Sequence, residues 1–261
     1  MARSEPSRLN PRALRRRVKT RALRFAGRAI GTLTNVKVDD HRAALTFDDG
    51  PDPEHTPRLL EVLERHGAKA TFFVIGERAA TQPGLLDEIV RAGHEIGNHT
   101  WDHPSLPRTD PGERTRQLTR CAEAIRPHRT TIMRPPFTEQ SLASYMTARR
   151  MGYEVVAWNV QVEDWRPHPA KVMEDWLVRR IRPGSIAVLH DSLWRPTFAE
   201  ASNRGPLFEA VDGALESLAQ FRFVTVSDLV SAGKPVRVPW FADREGVGLG
   251  KAWVRPTGGL D

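Results

Sequence analysis

The chain of 261 residues contains one cysteine, Cys121, so it cannot form an internal disulfide and is not a disulfide-stapled scaffold. It has no apolar run near the roughly 18 residues that mark a membrane-spanning helix. A secretory signal would show about 7–15 apolar residues after its first charges. Here arginines interrupt the apolar residues as far as Arg28. The expectation is therefore a cytoplasmic protein. An excess of positive charge is also absent over most of the chain. The formal net charge is +7, but residues 1–38 hold eleven Lys and Arg against one acid, Glu5, which leaves −3 for residues 39–261. The body lacks the basic footprint of a nucleic-acid-binding domain. Phe25 is the one aromatic among the N-terminal arginines, too few to build a stacking platform. Nucleic acid is not the expected partner.

The basic segment, residues 1–38, reads as an arm. Asn10-Pro11 supplies an N-cap and a first-turn proline, and Gly31 supplies a stop. Leu14, Val18, Ala22, Phe25, Ala29 and Leu33 recur at helical spacing with arginines between them. Peripheral contact with anionic membrane at the inner face is one reading of such a helix over residues 10–33. A helix packed on the domain, or a solvated arm, is the alternative. At the other end, residues 233–261 contain six glycines, three prolines, Trp240 and Trp253, and are expected to form an irregular tail.

The domain proper is expected over residues 39–232. Short apolar runs at Arg42–Phe47, Ala68–Ile75, Glu95–Asn98, Thr131–Arg134, Glu154–Trp158, Ser185–His190 and Phe221–Thr225 read as strands. Amphipathic stretches between them carry helix signals. Thr56-Pro57 opens one that stops at Gly67, and Asp110-Pro111 opens another with Glu113 at the capping-box position. Alternating strands and helices argue for an α/β fold with a parallel sheet. Seven units fit a (β/α)7-type barrel more compact than the eightfold kind, which needs about 250 residues. A doubly wound open sheet has the same periodicity. Cys121, inside a helical pattern, reads as a small buried residue and not as a reactive thiol.

Titratable residues recur just after these strands. Thr46-Phe47-Asp48-Asp49-Gly50-Pro51 follows the first, and His99-Thr100-Trp101-Asp102-His103 the third. Arg134-Pro135-Pro136-Phe137 follows the fourth, Asp164-Trp165 comes after the fifth, and Val188-Leu189-His190 ends the sixth. In a parallel barrel these ends share the face on which active sites are built. His99 and His103, four apart, would point the same way on a helical turn. With an aspartate they supply two nitrogens and an oxygen, a catalytic kind of metal site with open positions.

These five stretches, in this order, resemble the motifs of the polysaccharide deacetylase (NodB-homology) family. Ala70-Thr71-Phe72-Phe73 and Ala92–Asn98 are similar as well, and the likeness runs over about Arg42–Ala232. The resemblance implies a deformed (β/α) barrel that hydrolyses acetyl groups on N-acetylated amino sugars, oligosaccharides or polysaccharides with a divalent metal. The ion expected is Zn²⁺, or else Co²⁺ or another first-row metal. It implies metal ligands Asp49, His99 and His103, a general base Asp48 paired with Arg134, and a general acid His190 tuned by Asp164. It further implies an oxyanion contact at the Phe137 N–H, and a pocket walled by Trp165 and Val188. Thr138 stands where the family usually has glycine, and Val188 where it usually has leucine. Two alternatives remain beside this reading. One is a deformylase or other deacylase of a lipid-linked sugar at the cytoplasmic membrane face, and the other is a glycan-binding relative without catalysis.

Overall fold

The computed structural model describes residues 31–239. The expected helix over residues 10–33 lies outside the described residues up to position 30, as does the tail from Trp240 onward. The strands are β1 (Thr32–Lys37), β2 (Arg42–Asp48), β3 (Ala70–Val74), β4 (Glu95–Asn98), β5 (Ile132–Met133), β6 (Glu154–Val155), β7 (Val160–Gln161), β8 (Ile186–His190), β9 (Arg222–Phe223) and β10 (Lys234–Val238). The helices are α1 (His55–Arg65), α2 (Gly76–Thr81), α3 (Pro83–Arg91), α4 (Pro111–Ala124), α5 (Leu142–Arg150), α6 (Ala170–Arg180), α7 (Gly205–Ser217) and α8 (Val226–Ala232).

The main sheet is parallel, in the order β6-β5-β4-β3-β2-β8-β7, with β9 on the start of β2. It curls into a half-barrel. Strand alternation sorts its side chains between two faces. Leu45, Phe47, Phe72, Val74, Ala187 and Leu189 join the large core under helices such as α1 and α7. Ala44, Phe73, Ile132, Val156 and Ile186 form a second cluster inside the curl. Asp48 and His190 continue the inward rows at the strand ends. The start of α4 follows its sequence signal, with Asp110 accepting from the Glu113 N–H at 2.9 Å, and Ser141 and Ser144 form a reciprocal capping box at α5, whereas α1 begins at His55, ahead of the expected Thr56-Pro57 start.

Two boundaries differ from the expectation. The arm was expected to reach residue 38 and the irregular tail to begin at 233, yet β1 and β10 pair antiparallel with each other. Leu33, expected on the helical stripe, is fully buried in β1 and bridges Val156, while Val36 packs beside it. Gly184, at φ 82, lets this strand approach: a Cβ there would stand 1.6 Å from the Val36 carbonyl oxygen. The reason is burial. Leu33 and Val36 plug the end of the curl that the short strands leave open, and β10 supplies the hydrogen bonds that β1 needs on its other edge. Cys121 is buried as expected, and burial pushes its thiol up to about 12.

Candidate active site

Asp48 closes β2 and His190 closes β8, and the parallel register pairs them directly, as it pairs Thr46 with Val188. Side chains at paired positions point to the same face. Asp48 and His190 therefore face the interior together, with buried Val188 one step below His190. Arg134, just after β5, is fully buried and fills the space between strands. Its Nη1 donates to Asp48 Oδ1 at 2.6 Å and to Thr46 Oγ1 at 2.7 Å, and its Nη2 donates to the Ala157 carbonyl at 3.0 Å.

Asp49 leaves the strand with φ at 72°, a left-handed backbone that turns its carboxylate away from that of Asp48. Its Oδ1 lies 3.4 Å from His99 Nε2 and 3.2 Å from His103 Nε2, and its Oδ2 accepts the Trp194 N–H at 2.8 Å. His99 Nδ1 lies 2.8 Å from the Arg134 carbonyl. A carbonyl only accepts, so Nδ1 carries the proton and the Nε2 lone pair faces the site. The histidines do not share a helical turn as their spacing had implied. They lie in a loop after β4, and left-handed residues at Thr100 (φ 70) and His103 (φ 61) bring the rings together.

One nitrogen or oxygen from each of Asp49, His99 and His103 falls within 4.8 Å of the others, and all three residues are buried. Asp49 Oδ1 has no hydrogen-bond partner in the protein, an orphaned carboxylate oxygen aimed at two imidazoles. Burial pushes the Asp49 carboxyl up, but the adjoining His103 and His99 rings and the charge of His190 outweigh it and hold it well below the usual range. Burial also lowers His103, favouring the neutral ring that ligates metal. Two neutral nitrogens and one anionic oxygen fit a divalent metal ion.

Opposite this group, His190 Nδ1 lies 3.1 Å from Asp164 Oδ1, and the His190 N–H donates to Asp164 Oδ2 at 2.9 Å. Burial lowers His190, but the charge and hydrogen bond of Asp164, and then Asp49 and Asp48, raise it to about 9. Asp164 and Trp165 follow β7, a two-residue strand missed in the sequence because Val160–Gln161 is too short to show a period. The Trp165 ring meets His190 edge-on at 5.9 Å, and the largely exposed Phe137 ring meets His103 at 4.6 Å. Phe137 and Thr138 both take positive φ, 55° and 50°, which explains why glycine suits position 138 in the motif the chain resembles.

All the site residues expected from the sequence thus come together. Arg204 was missed. It is buried, pairs with Asp164 Oδ2, and donates to the Asp164 carbonyl at 2.8 Å and to the His190 carbonyl at 3.1 Å. It lies fourteen residues beyond His190 at the start of a helix, where an arginine reads as surface charge.

Comparison with known proteins points the same way. Residues 35–156 match the family profile described as polysaccharide deacetylase. A chitooligosaccharide deacetylase from Bradyrhizobium sp. is 41% identical over 152 residues, covering 56% of this chain and 69% of that protein. The peptidoglycan-N-acetylglucosamine deacetylase PgdA of Listeria monocytogenes is 33% identical over 193 residues, 72% of this chain but 38% of the relative's length. The crystal structure of the Bc1960 peptidoglycan N-acetylglucosamine deacetylase superposes with a TM-score of 0.69 at 30% identity, covering 77% of this chain and 93% of that one.

Proposed function

Because the chain belongs to the polysaccharide deacetylase family, we propose that it is a metal-dependent hydrolase removing N-acetyl groups from an amino-sugar glycan. The observation that carries this reading is the register pairing of Asp48 with His190 beside the Asp49, His99 and His103 group. A proton acceptor and a proton donor thus face one space from two strands. The three ligands would hold the ion, and the mixed nitrogen and oxygen donors favour Zn²⁺. When bound, it supplies polarisation of the acyl oxygen and a lowered pKa for the attacking water.

The chain's own groups do the rest. Arg134 occupies Asp48 Oδ1, and Oδ2 lies 4.0 Å from His99 Nε2, on the metal side. Asp48 takes the proton from the attacking water. With Nδ1 held by Asp164, His190 presents Nε2 to the scissile bond and protonates the leaving nitrogen, without which an amine is a poor leaving group. As the family resemblance implies, the Phe137 N–H would face the developing oxyanion, and Trp165 and Val188 would enclose the acetyl methyl. Peptidoglycan and chitooligosaccharide, the glycans in the relatives' names, support N-acetylglucosamine polymers over a lipid-linked sugar as the substrate class. Incubation with N-acetylglucosamine oligomers and with peptidoglycan fragments is expected to give free amines, read by mass spectrometry as loss of acetyl groups. Unchanged mass in both would remove the reading.

The basic residues 1–30 carry a second, separable reading: attachment to anionic membrane, supported by ten Lys and Arg against one Glu.

A further inference from the structure

Four consecutive residues tie together every loop that bears a metal ligand. Ile75 donates its N–H to the Gly50 carbonyl at 2.8 Å, Gly76 to Thr100 at 2.9 Å and Glu77 to Trp101 at 2.9 Å. Arg78 Nη1 then donates to the Asp49 carbonyl at 3.0 Å. The first and last of these bonds hold the Asp49 loop, and the middle two hold the loop between His99 and His103. Gly76 has to be small here: a Cβ would meet Cys121 Cα at 2.7 Å and the Trp101 ring at 2.9 Å.

Arg78 does more than the backbone donors. The same Nη1 donates to Ser192 Oγ at 2.6 Å, Nη2 donates to the Leu193 carbonyl at 3.2 Å, and the guanidinium lies 5.4 Å over the Trp194 ring. It therefore bridges the Asp49 turn to the 192–194 loop. That loop returns one bond to the ligand itself, the Trp194 N–H on Asp49 Oδ2. With Oδ2 occupied, Oδ1 is the oxygen presented to His99 and His103. Asp49 also sits at φ 72, a conformation that a residue with a side chain keeps only when its surroundings impose it.

We infer that Arg78 is a positioning residue for the metal ligand Asp49: one guanidinium locks the left-handed turn at Asp49 to the 192–194 loop, whose Trp194 amide selects the carboxylate oxygen that faces the metal. The inference rests on the metal reading given above. Partners that orient a ligand typically change metal affinity by about 10–100-fold when removed.

Zn²⁺ titrated into metal-stripped, full-length protein, in competition with a chromogenic chelator, tests it. Arg78→Met keeps the length of the side chain but removes its donors, and is expected to weaken Zn²⁺ binding by about 10–100-fold. Arg78→Lys is expected to fall between the two. Arg195→Met, which removes the other guanidinium over Trp194 but no bond to the Asp49 loop, is expected to bind as wild type. Melting of the metal-free proteins reports whether each folds. If Arg78→Met does not, Ser192→Ala, which removes one partner of the guanidinium, decides with an expected loss of severalfold. Wild type that takes up no Zn²⁺ overturns the metal reading and this inference with it. Wild type that binds, with Arg78→Met or its substitute Ser192→Ala binding equally well, or with Arg195→Met losing as much as Arg78→Met, overturns this inference alone.

Discussion

Asp48 and Asp49 carry the same functional group at adjacent positions, and the backbone separates their tasks. Asp48 keeps the strand's alternation and points inward to Arg134, whereas the left-handed turn at Asp49 swings its carboxylate to the two histidines. Asp48→Asn is therefore expected to abolish turnover yet retain metal, and His99→Ala to lose both, with metal content read by elemental analysis. Loss of metal from Asp48→Asn would mean that the adjacent carboxylates have exchanged roles. His190 gives a pH signature. It must be protonated to serve as an acid, so the rate is expected to fall as pH rises through about 9. Asp164→Asn removes the main influence that outweighs burial and should move that limb to lower pH. The same shift acts on stability. A folded-state value raised above the ordinary 6.5 contributes stability that is complete below 6.5 and is lost as pH climbs through about 9. His190→Ala should lower kcat by about 10²–10⁴-fold, in the range a positioned general acid contributes. A near-normal kcat in that variant would assign the amine's proton to another donor.

At the scale of elements, the seven strand candidates between Arg42 and Thr225 all appear, because most are short apolar runs rich in β-branched or aromatic residues and bounded by turn residues. The site was legible for a related reason. Its residues sit at strand ends, where motif and alternation coincide. The elements that escaped are those whose identity is decided by distant partners. Thr32–Lys37 has no local signal that outweighs the arginine-rich helix pattern before it, and its strand exists because β10, some two hundred residues away, completes it. Arg204 escaped in the same way, since its role depends on Asp164 forty residues earlier. The strand assignment has a measurable consequence. Leu33 is fully buried, so Leu33→Ala is expected to cost about 2–5 kcal/mol in denaturant unfolding, as for other large-to-small core changes. A residue on an exposed amphipathic arm would cost far less, and a negligible change would return Leu33 to the arm.

For the whole molecule, charge and chemistry occupy separate parts of the chain. The positive charge is concentrated before residue 31, while the site is built from residues 46–204. Because β1 belongs to the domain, a truncation that tests the arm must begin at Gly31 and leave Thr32 in place. Such a chain is expected to lose binding to anionic liposomes at low salt and to keep its rate on soluble N-acetylated oligosaccharides. Equal liposome binding by both forms would exclude membrane attachment through the arm. The central claim is narrower: these strand ends assemble a metal-dependent N-deacetylase. It is tested most directly by acetate release from N-acetylglucosamine oligomers, measured on full-length protein before chelation, after chelation, and after Zn²⁺ is restored. Release is expected to disappear with the metal and to return with it. Release that persists unchanged in the stripped protein, or no release from protein shown to carry the ion, would contradict it.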